Sequence, residues 1–198
     1  MIANKPERRE AAILNAELRN FTRLSEMLPP DKVLALANDF FSFCGMAITA
    51  NAGKVLCVQN DALVGAFATG SRKEFAHRAL KSAQDLQREF GTLGEQWQKD
   101  YGLPAAISAA VHIGEAVFGM AGPIAHQQFV AFGDCVSITE RLMHRARAGE
   151  VILSLDFMKA LGATAQTLGA EELPPLELHK RPPIVIYGMA LEKRLDFT

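Results

Sequence analysis

The segment 11–18, AAILNAEL, constrains the fold more than any other part of the chain. It is apolar except for Asn15 and Glu17. A run of this kind suits a central strand, covered on both faces, better than a half-exposed one. A carboxylate near the end of such a strand costs free energy unless it is paired or bound to a cation. The segment therefore predicts a central β-strand that carries a partnered acid.

The rest of the chain predicts a mixed order of helices and strands. Helices are predicted after the turn at Asn20, from Asp31 to the stop at 51–53, from Phe75 to Phe90 with fraying or a kink at Gly91 and Gly94, from Asp134 to Gly149, and over 155–161. Strands are predicted over 54–59, 62–68, 105–113, 117–120, 128–132, 151–153 and 184–189. Because hairpins and helices alternate irregularly, we expect an α+β sandwich, one mixed sheet with helices on one face.

Composition limits the class of protein. The 198 residues are 49% hydrophobic and 22% charged, which suffices for one core, so we expect a lead-in at 1–10 and a single domain over 11–198. The net charge of -1 gives no general attraction to nucleic acid or to anionic membranes, and neither is expected as a partner.

Two further observations indicate a cytoplasmic protein. The longest apolar stretches, 40–50 and 103–111, are about half of the roughly 20 residues that a membrane span needs, and the amino terminus lacks the pattern of a signal peptide. The three cysteines, Cys44, Cys57 and Cys135, are widely spaced and odd in number, which fits a reducing compartment. They make no zinc-ligand spacing with the five histidines.

Three blocks in order carry a family resemblance. They are AILNAELRNFTRLSE (12–26), NAGKVLCVQNDALVGAFA (51–68) and the region from AAVHIGEAVFGMAG to FVAFGDCVSITERL (109–142), followed by GEVILS (149–154). Together they resemble the catalytic domain of class III adenylate/guanylate cyclases. The resemblance implies a ferredoxin-like sheet. Diguanylate cyclases share that core, but their Gly-Gly-(Asp/Glu)-Glu-Phe turn is absent from the hairpin here.

The resemblance implies a metal site at Glu17 and Asp61. Cyclisation transfers a phosphoryl group, and Mg²⁺ or Mn²⁺ held by two carboxylates stabilises the attacking and leaving oxygens. Glu17 stands where the family has aspartate, and one extra methylene shifts the carboxylate by roughly an ångström. The alternative for Glu17 is an acid paired with Arg19 or Arg141. For Asp61 it is an ordinary hairpin turn residue.

The family's phosphate-binding turn corresponds to Asn20, Phe21 and Thr22. Glycine usually stands at the first of these positions, and backbone amides of the turn point at the triphosphate. Asparagine tolerates the left-handed conformation of glycine better than most residues do. We therefore expect the turn to keep its shape.

The positions that read the purine base in the family are Cys57 and Val130 in this chain. Adenylate cyclases place lysine and aspartate there, and guanylate cyclases place glutamate at the first position. Neither cysteine nor valine replaces a charged hydrogen-bonding pair. The alternative is that both are apolar packing residues.

The family's transition-state asparagine and arginine correspond to Ser137 and Arg141. Serine is shorter and donates one hydrogen bond, whereas Arg141 keeps the fixed cation that developing phosphate charge requires. The alternative for Arg141 is a solvated or carboxylate-paired helix residue. His112 is interpreted as a core or strand histidine.

In the family each active site lies between two subunits, which implies a homodimer or a heterodimer and a nucleoside triphosphate ligand. Three hypotheses follow. The first is a silent or weak domain that dimerises and binds a nucleotide or partner. The second is an active cyclase of unusual base specificity. The third is the metal-donating half of a heterodimeric cyclase.

Overall fold

The computed structural model describes residues 5–190. Its centre is one eight-stranded sheet. In chain order the elements are β1 (Glu7–Arg19), α1 (Phe21–Met27), α2 (Pro30–Ala50), β2 (Lys54–Gln59), β3 (Ala62–Phe67), α3 (Arg72–Tyr101), β4 (Ala106–Ala121), β5 (Gln128–Phe132), α4 (Asp134–Met143), β6 (Glu150–Ser154), α5 (Leu155–Leu161), β7 (Glu171–Leu176) and β8 (Ile184–Ala190). The strand order in the sheet is β2-β3-β1-β4-β6-β8-β7, and β5 pairs with β4 outside this path. Only β4 and β6 pair in parallel among these described strands, so the sheet is mixed and mainly antiparallel.

The central strand is β1, as the apolar run at 11–18 predicts. It pairs antiparallel with β3 on one side and with β4 on the other. Its side chains alternate between the faces, with Ala12 and Leu14 in one apolar cluster and Ala11 and Ile13 in a second. Both faces of the strand are therefore buried.

The helices cover both faces of the sheet unequally. The cluster that contains Ala12 and Leu14 also holds buried residues of α2, α3 and α5. Cys135 of α4 packs in the other cluster, and Ile138 and Leu142 pack beside β6 and β8. The predicted α+β architecture is confirmed, and α4 is a single additional helix on the opposite face.

Some element boundaries differ from the sequence predictions. The segments 105–113 and 117–120 are one strand, β4, because β4 pairs with β1 through Gly114 and Glu115 without a break. Helix α3 runs past Gly91 and Gly94 to a left-handed Gly102, and α4 ends at Met143 rather than at Gly149. The edge strand β7, whose two prolines read as breakers, was not predicted.

Helix α2 is long and apolar enough, by length and composition, to cross a membrane. In this fold its buried residues Leu36, Phe40, Cys44 and Ile48 belong to the main core cluster. One face of α2 thus packs against α3 and the sheet, whereas Leu34 and Met46 of the same helix are exposed.

Candidate active site

The structure brings Glu17 and Asp61 together at one end of the sheet. Glu17 lies near the end of β1, opposite Ala62 of β3, and Asp61 occupies the turn between β2 and β3. The backbone amide of Leu18 donates to the carbonyl oxygen of Asp61 at 2.8 Å. This hydrogen bond fixes the turn against β1, so the two acids that the resemblance pairs are neighbours.

Glu17 is also paired with a base. The Nη1 atom of Arg19 lies 2.7 Å from Oε1 of Glu17, whose side chain is 15% exposed. Burial raises the pKa of Glu17 above its ordinary value. Arg19 opposes that rise, while the negative charge of Asp61 adds to it. The pairing alternative for Glu17 is therefore realised, with Arg19 rather than Arg141.

The turn at 20–22 has the backbone shape that a glycine would give. Asn20 has a φ of 69° and precedes α1, and its side-chain Nδ2 donates to the carbonyl oxygen of Pro104 at 2.8 Å. Its own carbonyl accepts from the amide of Leu24. The expected left-handed conformation is present and is held by hydrogen bonds on both sides.

One open cleft of about 480 Å³ joins the acids to this turn. Its lining residues are Glu17, Leu18, Arg19, Asn20, Phe21, Thr22, Arg23, Glu26 and Asp61. Arg23 and Glu26 were not predicted as site residues. The signal for Arg23 was an exposed base directly after the turn.

The donor set of this cleft fits Mg²⁺ or Mn²⁺ only in part. Magnesium is commonly held by one or two carboxylates, with substrate phosphates and water completing six oxygen ligands. Glu17 and Asp61 supply the carboxylates, but one oxygen of Glu17 already accepts from Arg19. Within residues 5–190 no group of three or more His, Cys, Asp or Glu side chains could hold a metal ion. A metal here would therefore take its remaining ligands from water or from phosphate oxygens.

The two base positions present no charged group. Cys57 on β2 is half-buried and packs against the apolar cluster of Ala11, Ile13 and Val64. Burial, together with the charge of Glu140, raises the pKa of the Cys57 thiol, which stays neutral at physiological pH. Val130 is half-buried on β5, opposite Gly119. Cys57 has the surroundings that the packing alternative requires.

Ser137 and Arg141 lie on the exposed side of α4, one turn apart. They line a cavity of about 120 Å³ with Asp134, Ile138, Leu178, His179 and Arg181. Asp134 is engaged by Arg181 at 2.6 Å, whereas Arg141 makes no salt bridge within the described part of the chain. Arg181 was not predicted. This cavity shares no lining residue with the cleft at Glu17.

His112 is a buried strand histidine. It is 5% exposed, and its Nδ1 lies 2.7 Å from the hydroxyl of Ser154. Burial lowers the pKa of His112 to about 4, which keeps the ring neutral. These surroundings agree with the structural interpretation of this residue.

Comparison with known proteins agrees with this architecture. The sequence profile described as "Adenylate and Guanylate cyclase catalytic domain" matches residues 3–187. The chain is 27% identical over 135 residues to an adenylate cyclase of Anabaena cylindrica, which covers 68% of this chain and 27% of that protein. It is 25% identical over 140 residues to adenylate cyclase 1 of Rhizobium meliloti, covering 68% of this chain and 20% of that protein. The chain thus spans a minor part of these relatives.

Solved structures share the fold. The adenylyl cyclase CyaB from P. aeruginosa superposes with a TM-score of 0.87 at 19% identity, covering 96% of this chain and 98% of that one. The guanylyl cyclase Cya2 superposes with a TM-score of 0.79 at 24% identity, with 92% of each chain covered. At such identities the likeness establishes the fold alone.

Proposed function

Since the chain belongs to the adenylate and guanylate cyclase catalytic domain family, we propose that it is a dimerising, nucleotide-binding module of cyclic-nucleotide signalling with weak or no cyclase turnover. One observation carries the proposal. The phosphate end of the site keeps its two acids and its left-handed turn, whereas the base positions hold Cys57 and Val130.

At the phosphate end, this chain would bind the triphosphate of a nucleotide through the backbone of the turn 20–22. Asn20 holds that backbone in place through its bond to Pro104. Glu17 and Asp61 would hold Mg²⁺ or Mn²⁺, which supplies positive charge to the phosphate oxygens. Arg23 adds a fixed cation to the same cleft.

At the base end, the chain offers a purine little to bond with. The hydrogen-bonding edge of a purine loses its water when it enters an apolar pocket, and each unmatched polar group costs about 1–3 kcal/mol. A neutral thiol and a valine do not offset that cost. We therefore expect weak discrimination among bases and poor orientation of the ribose for attack.

Dimerisation is proposed from the separation of the two halves. Ser137 and Arg141 line a different cavity from Glu17 and Asp61, so a complete site would take one half from each of two chains. The hairpin of β4 and β5 also exposes large apolar side chains, Ile124 and Phe132. Burial of such side chains is a common source of binding energy at dimer interfaces.

The second candidate is the metal-donating half of a heterodimeric cyclase. The metal half of the site keeps two acids, whereas the half that reads the base has lost its charged residues, and this difference favours the second candidate. A partner chain with the family's lysine, aspartate and asparagine would complete one site together with Glu17 and Asp61. An active homodimeric cyclase of unusual base specificity is the remaining alternative, and the same assay detects it.

The test is a product assay on the purified chain. ATP, GTP, CTP and UTP are incubated separately with Mg²⁺ or Mn²⁺, and cyclic products are quantified for the wild type, Asp61→Ala and, as a matched control, the exposed helix variant Asp39→Ala. We expect trace product or none. Sustained turnover that is lost in Asp61→Ala and kept in Asp39→Ala would overturn the proposal.

A further inference from the structure

We propose that Arg19 is a positioning residue that links the metal acid Glu17 to the carboxyl end of α4, so that a divalent cation must compete with its guanidinium. The inference rests on the proposed metal role of Glu17, and it adds an internal competitor and a mechanical connection to that role.

All three guanidinium nitrogens of Arg19 are used. Nη1 donates to Oε1 of Glu17 at 2.7 Å, and Nε donates to the hydroxyl of Ser108 at 2.8 Å. Nη2 donates to the carbonyl oxygen of Ala146, with a longer contact of 3.5 Å to that of Met143. The side chain is 24% exposed, so the group is partly shielded from water.

These bonds reach the end of a helix. Met143 is the last residue of α4, and its carbonyl oxygen accepts from the amide of Ala146 at 3.0 Å, so the bond of Arg19 to Ala146 falls on the turn that follows the helix. A cation near the carboxyl end of a helix interacts favourably with the helix dipole. Ser108 extends the contact, because its hydroxyl donates to the carbonyl oxygen of Arg147 at 2.6 Å. Arg19 therefore anchors the turn after α4, and through it the carboxyl end of the helix, to β1.

The guanidinium of Arg19 lies beside Oε1 of Glu17, where a cation bound to this carboxylate would also have to lie. A divalent cation bound to this carboxylate would stand within a few ångströms of the guanidinium, and like charges that close repel strongly in a partly shielded site. For Glu17 to bind the metal, Arg19 must withdraw from its carboxylate, which weakens the bonds of Arg19 to the turn after α4. Metal affinity and the anchoring of α4 are thus coupled.

The coupling has a consequence for the proposed homodimer. Glu17 of one chain and Arg141 on α4 of the same chain would serve different active sites. Arg19 connects the two, so metal loading at one site loosens the helix that carries the arginine of the other.

The first test measures the affinity for Mn²⁺ in the absence of nucleotide. Electron paramagnetic resonance quantifies the free ion. We expect Arg19→Gln to bind Mn²⁺ about tenfold more tightly than the wild type, in the usual range of such coupling. Arg88→Gln is the matched control, because it likewise parts an arginine from an acid, Asp85, but lies outside the cleft, and we expect a change below about threefold, as for a screened surface charge. Equal gains in both variants, or no Mn²⁺ binding in either, would overturn the proposal.

The second test is hydrogen exchange at the amides of 144–150 with and without saturating Mg²⁺. We expect Mg²⁺ to speed exchange at these amides in the wild type, because Arg19 withdraws from the carbonyl oxygen of Ala146. Arg19→Lys keeps the positive charge but loses the forked guanidinium. Exchange at the amides of 144–150 should therefore be fast in this variant even without Mg²⁺, while its Mn²⁺ affinity stays near that of the wild type. Exchange that ignores Mg²⁺ would contradict the link. Both experiments use the metal without nucleotide. A failure of nucleotide binding would therefore overturn the proposed function, whereas the role of Arg19 is tested independently of it.

Discussion

The two ends of the candidate site differ in which of the family's features they keep. At the phosphate end the ligand would meet backbone amides beside the carboxylates of Glu17 and Asp61, and Asn20 reproduces the left-handed turn with a φ of 69°. At the base end the ligand would meet side-chain atoms, and Cys57 and Val130 have none to replace a lysine and an aspartate. Asparagine can supply the left-handed shape of such a turn, whereas cysteine and valine cannot supply the hydrogen bonds of a charged pair.

Restoring the side chains that the family uses should have the largest effect. In the combined variant Glu17→Asp, Cys57→Lys, Val130→Asp and Ser137→Asn, we expect cyclic AMP formation to rise by about a thousandfold, because base recognition and a transition-state donor return together. The measurement is product formed from ATP with Mn²⁺.

The control for that variant keeps the substituted positions but not the charges, with Cys57→Ser and Val130→Thr replacing the lysine and aspartate. Because Glu17→Asp and Ser137→Asn remain, its product formation should rise, but by at least about tenfold less than in the full variant. An equal rise in the control would show that base reading is not what the chain lacks.

The free energy of unfolding depends on pH through His112, so the two ends of the site are compared at a pH where the fold is stable. The folded pKa of this histidine, about 4, lies below the ordinary 6.5, so it contributes stability that is present above pH 6.5 and is lost as the pH falls towards 4. We expect a loss of roughly 3 kcal/mol in the free energy of unfolding over that interval. Urea denaturation of the wild type and His112→Asn at pH 7 and pH 4.5 measures it.

The two proteins should converge in stability as the pH falls, because the variant has no imidazole to protonate. A gap between them that stays constant from pH 7 to pH 4.5 would contradict a neutral, buried ring.

Breaking the turn should cost less. Asn20→Ala removes the bond to Pro104 and forces alanine into the left-handed region, which together should lower the free energy of unfolding by about 2 kcal/mol. Asn20→Gly relieves the conformational cost and should lose about half as much. Denaturant unfolding compares the three proteins. Equal losses in both variants would place the whole effect in the hydrogen bond.

Some of this was readable from the sequence. The neighbouring acids Glu17 and Asp61 followed from the resemblance, and the shape at Asn20 followed from the known tolerance of asparagine. Periodicity marked α4 as a helix with an apolar face but did not say which face of the sheet it covers. Gly114 and Glu115 looked like a break in β4, although pairing along β1 carries the strand through them.

The Arg19 network was beyond sequence reasoning. Its partner Ala146 lies 127 residues away, and the acceptor there is a backbone carbonyl that any residue would supply. No residue type in the sequence marks such a contact. Pairing of Glu17 with a basic neighbour such as Arg19, by contrast, was one of the alternatives, and it fits two side chains that share a strand face at i and i+2.

The smallest expected effect concerns the base itself, and it tests the central claim most directly. Calorimetry should compare ATP, GTP, CTP, UTP and inorganic tripolyphosphate, each with Mn²⁺, on the wild type and on Asp61→Ala. If the phosphate end does the binding, the four nucleotides and tripolyphosphate bind within about threefold of one another, less than 1 kcal/mol, and all weaken together in Asp61→Ala. One nucleotide binding more than about thirtyfold tighter than tripolyphosphate, about 2 kcal/mol, would show that the base end reads its ligand and would contradict the account.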